Sequence, residues 1–97
     1  MTLAELKRSV VKAEPPVGLA PALAALWWEA KGDWERAHAL VMDENGSDCA
    51  WVHAYLHRPE GDLDNAHYWY AKAGKACGQP DDEWDRIAAA LLGAPSP

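Results

Sequence analysis

Phenylalanine is missing from this 97-residue chain, and the aromatic content is six Trp and three Tyr. Each indole brings an N–H that wants a partner when buried, and Trp also settles at partly exposed recognition surfaces. Cysteine is scarce: Cys49 and Cys77 are the only two, with no CxxC pair, which fits reduced thiols and gives no disulfide framework. Concentrated positive charge is absent. Nine Lys and Arg face fifteen Asp and Glu, a net charge of −6, and the densest basic group, Lys7, Arg8 and Lys12, is interleaved with Glu5 and Glu14. Phosphate backbones need clustered cations, so nucleic acid is not expected as a partner. No long apolar run exists either. The longest uncharged stretch, residues 15–28, is interrupted by three prolines and is too short to cross a bilayer. No membrane partner is expected, and with no basic, apolar start resembling a signal peptide the expected compartment is the cytoplasm. Nucleophile motifs are lacking as well. There is no GxSxG, no glycine-rich phosphate loop and no HExxH, and Ser9, Ser47 and Ser96 are the only serines.

What the chain does have is helix punctuation. Thr2-Leu3-Ala4-Glu5 reads as a capping box opening a first helix to about Ala13. Pro15 and Pro16 force an extended link, and Pro21 sits well in the first turn of a second helix ending near Lys31. Gly32 can take the left-handed end position, and Asp33 can cap a third helix to about Asp43. After the Asn45-Gly46 turn, Ser47 or Asp48 caps a fourth helix to about Arg58. Gly61-Asp62 repeats the stop and start, giving a fifth helix to about Cys77 with a buried stripe of Leu63, Ala66, Tyr70, Ala73 and Cys77. Beyond Gly78-Gln79-Pro80, a sixth helix carries Trp84, Ile87, Ala88, Leu91 and Leu92 on one face and is expected to close the end of the fold by packing on the fifth. No stretch alternates as a strand does. The fold expected is all-α, with five or six helices in one domain: a leading helix and Pro-rich link (1–19), two helical hairpins (20–45 and 47–77) and a closing helix (80–93).

An internal repeat underlies the two hairpins. Gly32-Asp33-Trp34-Glu35-Arg36-Ala37-His38 lies over Gly61-Asp62-Leu63-Asp64-Asn65-Ala66-His67 at an offset of 29 residues, which also pairs Ala25 with Ala54, Leu23 with Val52 and Trp27 with Leu56. Small residues at 25, 37, 54 and 66 let paired helices approach closely. On these residues the chain resembles the tetratricopeptide repeat and related α-solenoid hairpins. The second unit matches through Ala54, Gly61-Asp62, Ala66, Tyr70 and Ala73. The first matches through Ala25, Trp28, Gly32-Asp33-Trp34 and Ala37, and departs at Glu44. The resemblance covers roughly residues 20–77, with a period shorter than that family's usual ~34. The stretch from Trp51 through Arg58 to Tyr68-Trp69-Tyr70 is also similar to a family of small uncharacterised bacterial proteins, which implies a bacterial source and no activity.

Two constellations could carry function. Trp51, Tyr55 and Arg58 form one stripe of the fourth helix, two amphipathic aromatics and a forked donor suited to a carboxylate. In the resembled repeats this stripe lines the groove that binds peptides; the bland alternative is that an end helix covers it. Pro59 has no N–H for the carbonyl of Tyr55, which is expected to stay available to a ligand, and loss of the Arg58 side chain is expected to leave melting almost unchanged. On another face, His53 and His57 stand four residues apart, the spacing of a two-His metal half-site, with His67 able to approach from the fifth helix and Cys49 one turn earlier. The favoured expectation is that these histidines pack near Tyr70, each hydrogen-bonded, and that the chain is a non-enzymatic module needing no cofactor. Its partner would be a protein or peptide, or another copy of itself. The alternative is a ligand or metal site on His53, His57 and His67, enzymatic or not.

Overall fold

The structure, a computed structural model, describes residues 1–76 and 82–93. Among them are six helices and no strand: α1 (Leu3–Ser9), α2 (Pro21–Ala30), α3 (Trp34–Val41), α4 (Ser47–His57), α5 (Leu63–Ala73) and α6 (Glu83–Leu91). The all-α expectation holds. None of these helices is long and apolar enough to cross a membrane.

The predicted punctuation is realised where it is local. Thr2 Oγ1 accepts from Glu5 N–H at 3.1 Å while Glu5 Oε1 accepts from Thr2 N–H at 2.8 Å, the reciprocal capping box. The two Gly-Asp turns are near copies. Gly32 and Gly61 both take the left-handed conformation (φ +89° and +84°), where a β-carbon is disfavoured by backbone sterics although space is open around both. The following aspartates cap alike, Asp33 accepting from Arg36 N–H and Asp62 from Asn65 N–H. Their own N–H groups reach back to the carbonyls of Trp28 and His57, residues that are themselves one repeat apart.

Several helix ends differ from expectation, each for a local reason. α1 stops at Ser9 instead of near Ala13: the Ser9 hydroxyl donates to the Leu6 carbonyl at 2.6 Å and accepts from Trp27 Nε1 at 2.9 Å, so it competes with the helix for its own backbone. α3 stops at Val41, two residues short of Asp43. Gly46, with no side chain to cap, precedes α4, so Ser47 is its first helical residue and neither Ser47 nor Asp48 is the cap. α5 ends at Ala73 because Gly74 turns left-handed (φ +70°). The expected continuation to Cys77 therefore fails, and Cys77 itself lies outside the described residues.

Packing follows the repeat. α2 lies against α3, α4 against α5, and α3 against α4, an order compatible with two successive hairpins. Equivalent positions are buried alike: Ala25 and Ala54, Ala37 and Ala66, Trp27 and Leu56, Val41 and Tyr70. One core gathers Leu6, Leu26, Trp27, Val41, Val52, Leu56 and Ile87, and a smaller one joins Ala54, Ala66 and Tyr70.

α6 does not pack where it was expected. It lies mainly on α2, α4 and α1, and meets α5 at its first residue, Glu83, which bonds Tyr70. Ile87 and Ala88 enter the main core, Trp84 Nε1 donates to the Leu26 carbonyl at 3.0 Å, and Asp85 pairs with Lys7 of α1 at 2.9 Å. The reason lies in α4, which buries seven of its eleven residues and so needs cover on more than one side. The outer side of α5, with exposed Asp64, Tyr68 and Lys72, offers an apolar helix much less.

Candidate functional site

Trp51, Tyr55 and Arg58 share one side of α4, as the helical period requires, and all three are half-buried. Their polar atoms are spent inside the molecule. The Tyr55 hydroxyl donates to Glu29 of α2 at 3.3 Å, and burial followed by the Glu29 charge pushes this phenol well above its ordinary range. Burial also raises the carboxyl of Glu29. Arg58 donates to Glu83, the first residue of α6, which is 1% exposed, and to the Tyr70 hydroxyl at 3.4 Å. Tyr70 in turn donates to Glu83 at 2.5 Å, closing a triangle among α4, α5 and α6. The carbonyl of Tyr55 is not left for a ligand, because Arg58's own N–H donates to it at 3.2 Å in a tightened last turn. Lys75 Nζ stands 4.5 Å over the Trp51 ring. The stripe is thus largely a packing face beneath α6.

The opposite side of α4 gathers imidazoles. His53 (4% exposed) and His57 (6%) are buried, and they do not meet the expected third histidine. His67 is exposed on α5. Instead His38, from α3, brings its Nε2 to 2.9 Å from Nε2 of His53. The three rings touch pairwise, with centroids 4.7 Å (38–53), 5.3 Å (38–57) and 4.9 Å (53–57) apart. One ligand nitrogen from each lies within 4.8 Å of the other two. Cys49 is not part of this group; burial, then the charges of Glu44 and Asp48, raise its thiol pKa.

Neighbouring side chains fix the rings. Trp34 stacks on His38 (4.7 Å, 10° between planes) and anchors its own Nε1 on the Leu56 carbonyl at 2.7 Å. Trp69 stacks on His53 (4.1 Å, 20°). His57 Nδ1 meets the Glu60 carboxylate at 2.5 Å, a bond that turns its other nitrogen away from the turn. Burial, then the neighbouring imidazoles, push His53 down to about 4, and burial then His57 lower His38 as well. Burial thus disfavours the charged form of both rings, and a neutral imidazole keeps one bare nitrogen for a ligand. Each buried imidazole does find a partner, His38 for His53 and Glu60 for His57, but neither partner is Tyr70. Tyr70 belongs to the Arg58–Glu83 triangle, and His53 Nδ1, fully shielded from solvent, has no hydrogen-bond partner among the described residues. A buried polar atom without a partner costs about 1–3 kcal/mol.

His38 is the member that sequence reasoning missed, although its signal was present: it occupies in the first repeat the place of His67 in the second. Position 38 faces α4, whereas position 67 is exposed among the described residues. Compared with known proteins, the chain matches no family model, and neither a curated protein nor a solved structure matches it.

Proposed function

We propose that this chain is a non-enzymatic, tetratricopeptide-like interaction module of bacterial cytoplasm, and that it binds a helical segment of another protein through the free side of α5. One observation carries the proposal. The side of α3 that bears Trp34 and His38 is covered by α4, whereas its repeat equivalents on α5, Leu63 and His67, are exposed, Leu63 at 54%. A stacking face used once and left open once among the described residues is a face that a further helix can cover, as in arrays whose units bury their faces against one another. Tyr68, 54% exposed, extends the patch, with Lys72 Nζ 5.5 Å over its ring. Trp51, Tyr55 and Arg58 support the module from within by holding α6, and partner recognition moves to α5.

The test compares tag-free wild type with Leu63→Glu. The substitution touches an exposed site and should change stability by no more than about 0.5 kcal/mol. Affinity capture and sedimentation should yield a heterologous protein partner that binds wild type and is lost with Leu63→Glu. A partner retained equally by the variant, or a wild type that stays monomeric and captures nothing, refutes the proposal.

A further inference from the structure

We propose that His38, His53 and His57 form a three-histidine site for a first-row divalent transition cation, with Zn²⁺ as the representative ion. The cluster has what such a site needs. It offers three imidazoles from two helices, with ligand nitrogens within 4.8 Å of one another. Neutral imidazole is a borderline ligand suited to zinc and its neighbours, and no thiolate or carboxylate within the trio biases it toward softer or harder ions. Tetrahedral zinc at about 2.0–2.1 Å from each nitrogen sets those nitrogens about 3.3 Å apart. The His38–His53 pair, at 2.9 Å, opens slightly and the widest pair closes, movements within reach of ring rotation.

The outer shell points the same way. Metal-binding histidines commonly place the second ring nitrogen on a carboxylate, which fixes the tautomer and strengthens the ligand, and His57 Nδ1 on Glu60 is that arrangement. Trp34 and Trp69, stacked on His38 and His53, hold two of the three planes and close the site against competing ligands. His53 is buried and turns its Nε2 onto the Nε2 of His38, two ligand-type nitrogens brought to one point, which apolar packing alone does not call for. The half-buried His38 marks the side from which water fills the fourth coordination position. Bound there, the ion clamps α3 to α4 and so joins the two repeat units at their seam. Its role in that position is to fasten the repeats together. The inference is independent of the partner surface on α5.

Tag-free protein, stripped with a chelator and dialysed, is titrated with Zn²⁺ by calorimetry and with Co²⁺ by visible absorption. One ion per chain is expected, with the intense d–d bands of four-coordinate Co²⁺ and a melting temperature raised by about 10 °C at a hundredfold excess over Kd. Glu60→Gln, on the half-exposed turn, should weaken binding about 10–100-fold without loss of fold. His38→Gln should weaken it further, and His67→Ala should leave it unchanged. Should His38→Gln fail to fold, Glu60→Gln and His67→Ala still decide the matter. A folded wild type that binds no stoichiometric ion below about 10 µM overturns the proposal. So does undiminished affinity in Glu60→Gln and His38→Gln, or loss of binding in His67→Ala.

Discussion

Replacing Arg58 with Ala sets two uses of one guanidinium against each other. A recognition residue can be removed with little effect on folding, whereas Arg58 here supplies the cation for Glu83. The two side chains are only 16% and 1% exposed, so solvent cannot replace the lost partner. Breaking a buried pair by removing one member strands the other charge and costs about 3–5 kcal/mol. Small domains have only about 5–15 kcal/mol in total, so the variant should sit near the edge of folding. At 4–8 °C per kcal/mol for a chain of this size, melting should fall by at least about 12 °C. Tyr70 should soften the loss only in part, because its hydroxyl still donates to the same carboxylate but supplies no compensating charge. Glu83→Gln is the milder partner variant: the amide oxygen still accepts from Tyr70 or Arg58, and the cation it leaves uncompensated, Arg58, is 16% exposed where Glu83 is 1%, so about 1–3 kcal/mol is expected. Urea unfolding followed by Trp fluorescence gives both values, provided m is unchanged. An Arg58→Ala protein within about 1 kcal/mol of wild type would refute the structural role and return Arg58 to the surface as a candidate for partner binding.

Acid should destabilise the chelator-treated protein. His53 is held near pKa 4 in the folded state against about 6.5 unfolded, so the unfolded chain binds the extra proton first as pH falls. Its stabilisation is complete above about pH 6.5 and is lost by pH 4, at most about 3 kcal/mol, with His38, lowered likewise, adding to it while His57 and Glu60 face the same cluster. Urea midpoints at pH 7, 5.5 and 4.5 measure this, and a flat profile would contradict a neutral imidazole cluster. Ile87→Ala should cost about 2–5 kcal/mol, because Ile87 is fully buried in the core that α6 shares with α2 and α4; a loss below 1 kcal/mol would mean that α6 is only loosely attached.

What could be read from the sequence divides by range. The Thr2–Glu5 box and the Gly-Asp turns are decided by residues within a few positions of one another, and the structure has them as expected. Ser9 was read by helical pattern alone, but its hydroxyl is claimed by Leu6 and by Trp27, eighteen residues on, and only the second contact needs the fold. For α6, the apolar stripe states that one face must be covered and is silent about the surface that covers it. The better clue lay in α4. Residues 49–57 are apolar or imidazole-bearing nearly all round, so no single hairpin partner could cover the helix, and a third element had to cross the Tyr55 side.

The histidines make the same point about repeats. Grouping His53 and His57 with His67 followed closeness in sequence and the pairing of α4 with α5. In a stacked array, however, the second helix of a unit faces two ways: toward its own first helix, and toward the first helix of the unit that follows. His38 and His67 occupy one position in the 29-residue sequence repeat and differ in what covers them. With two repeats, that position meets α4 from α3 and is exposed on α5. The 29-residue alignment therefore already contained the choice. The histidine able to join His53 and His57 is the one a full repeat before His67, because α3 lies against α4 at that position while the same position on α5 points outward.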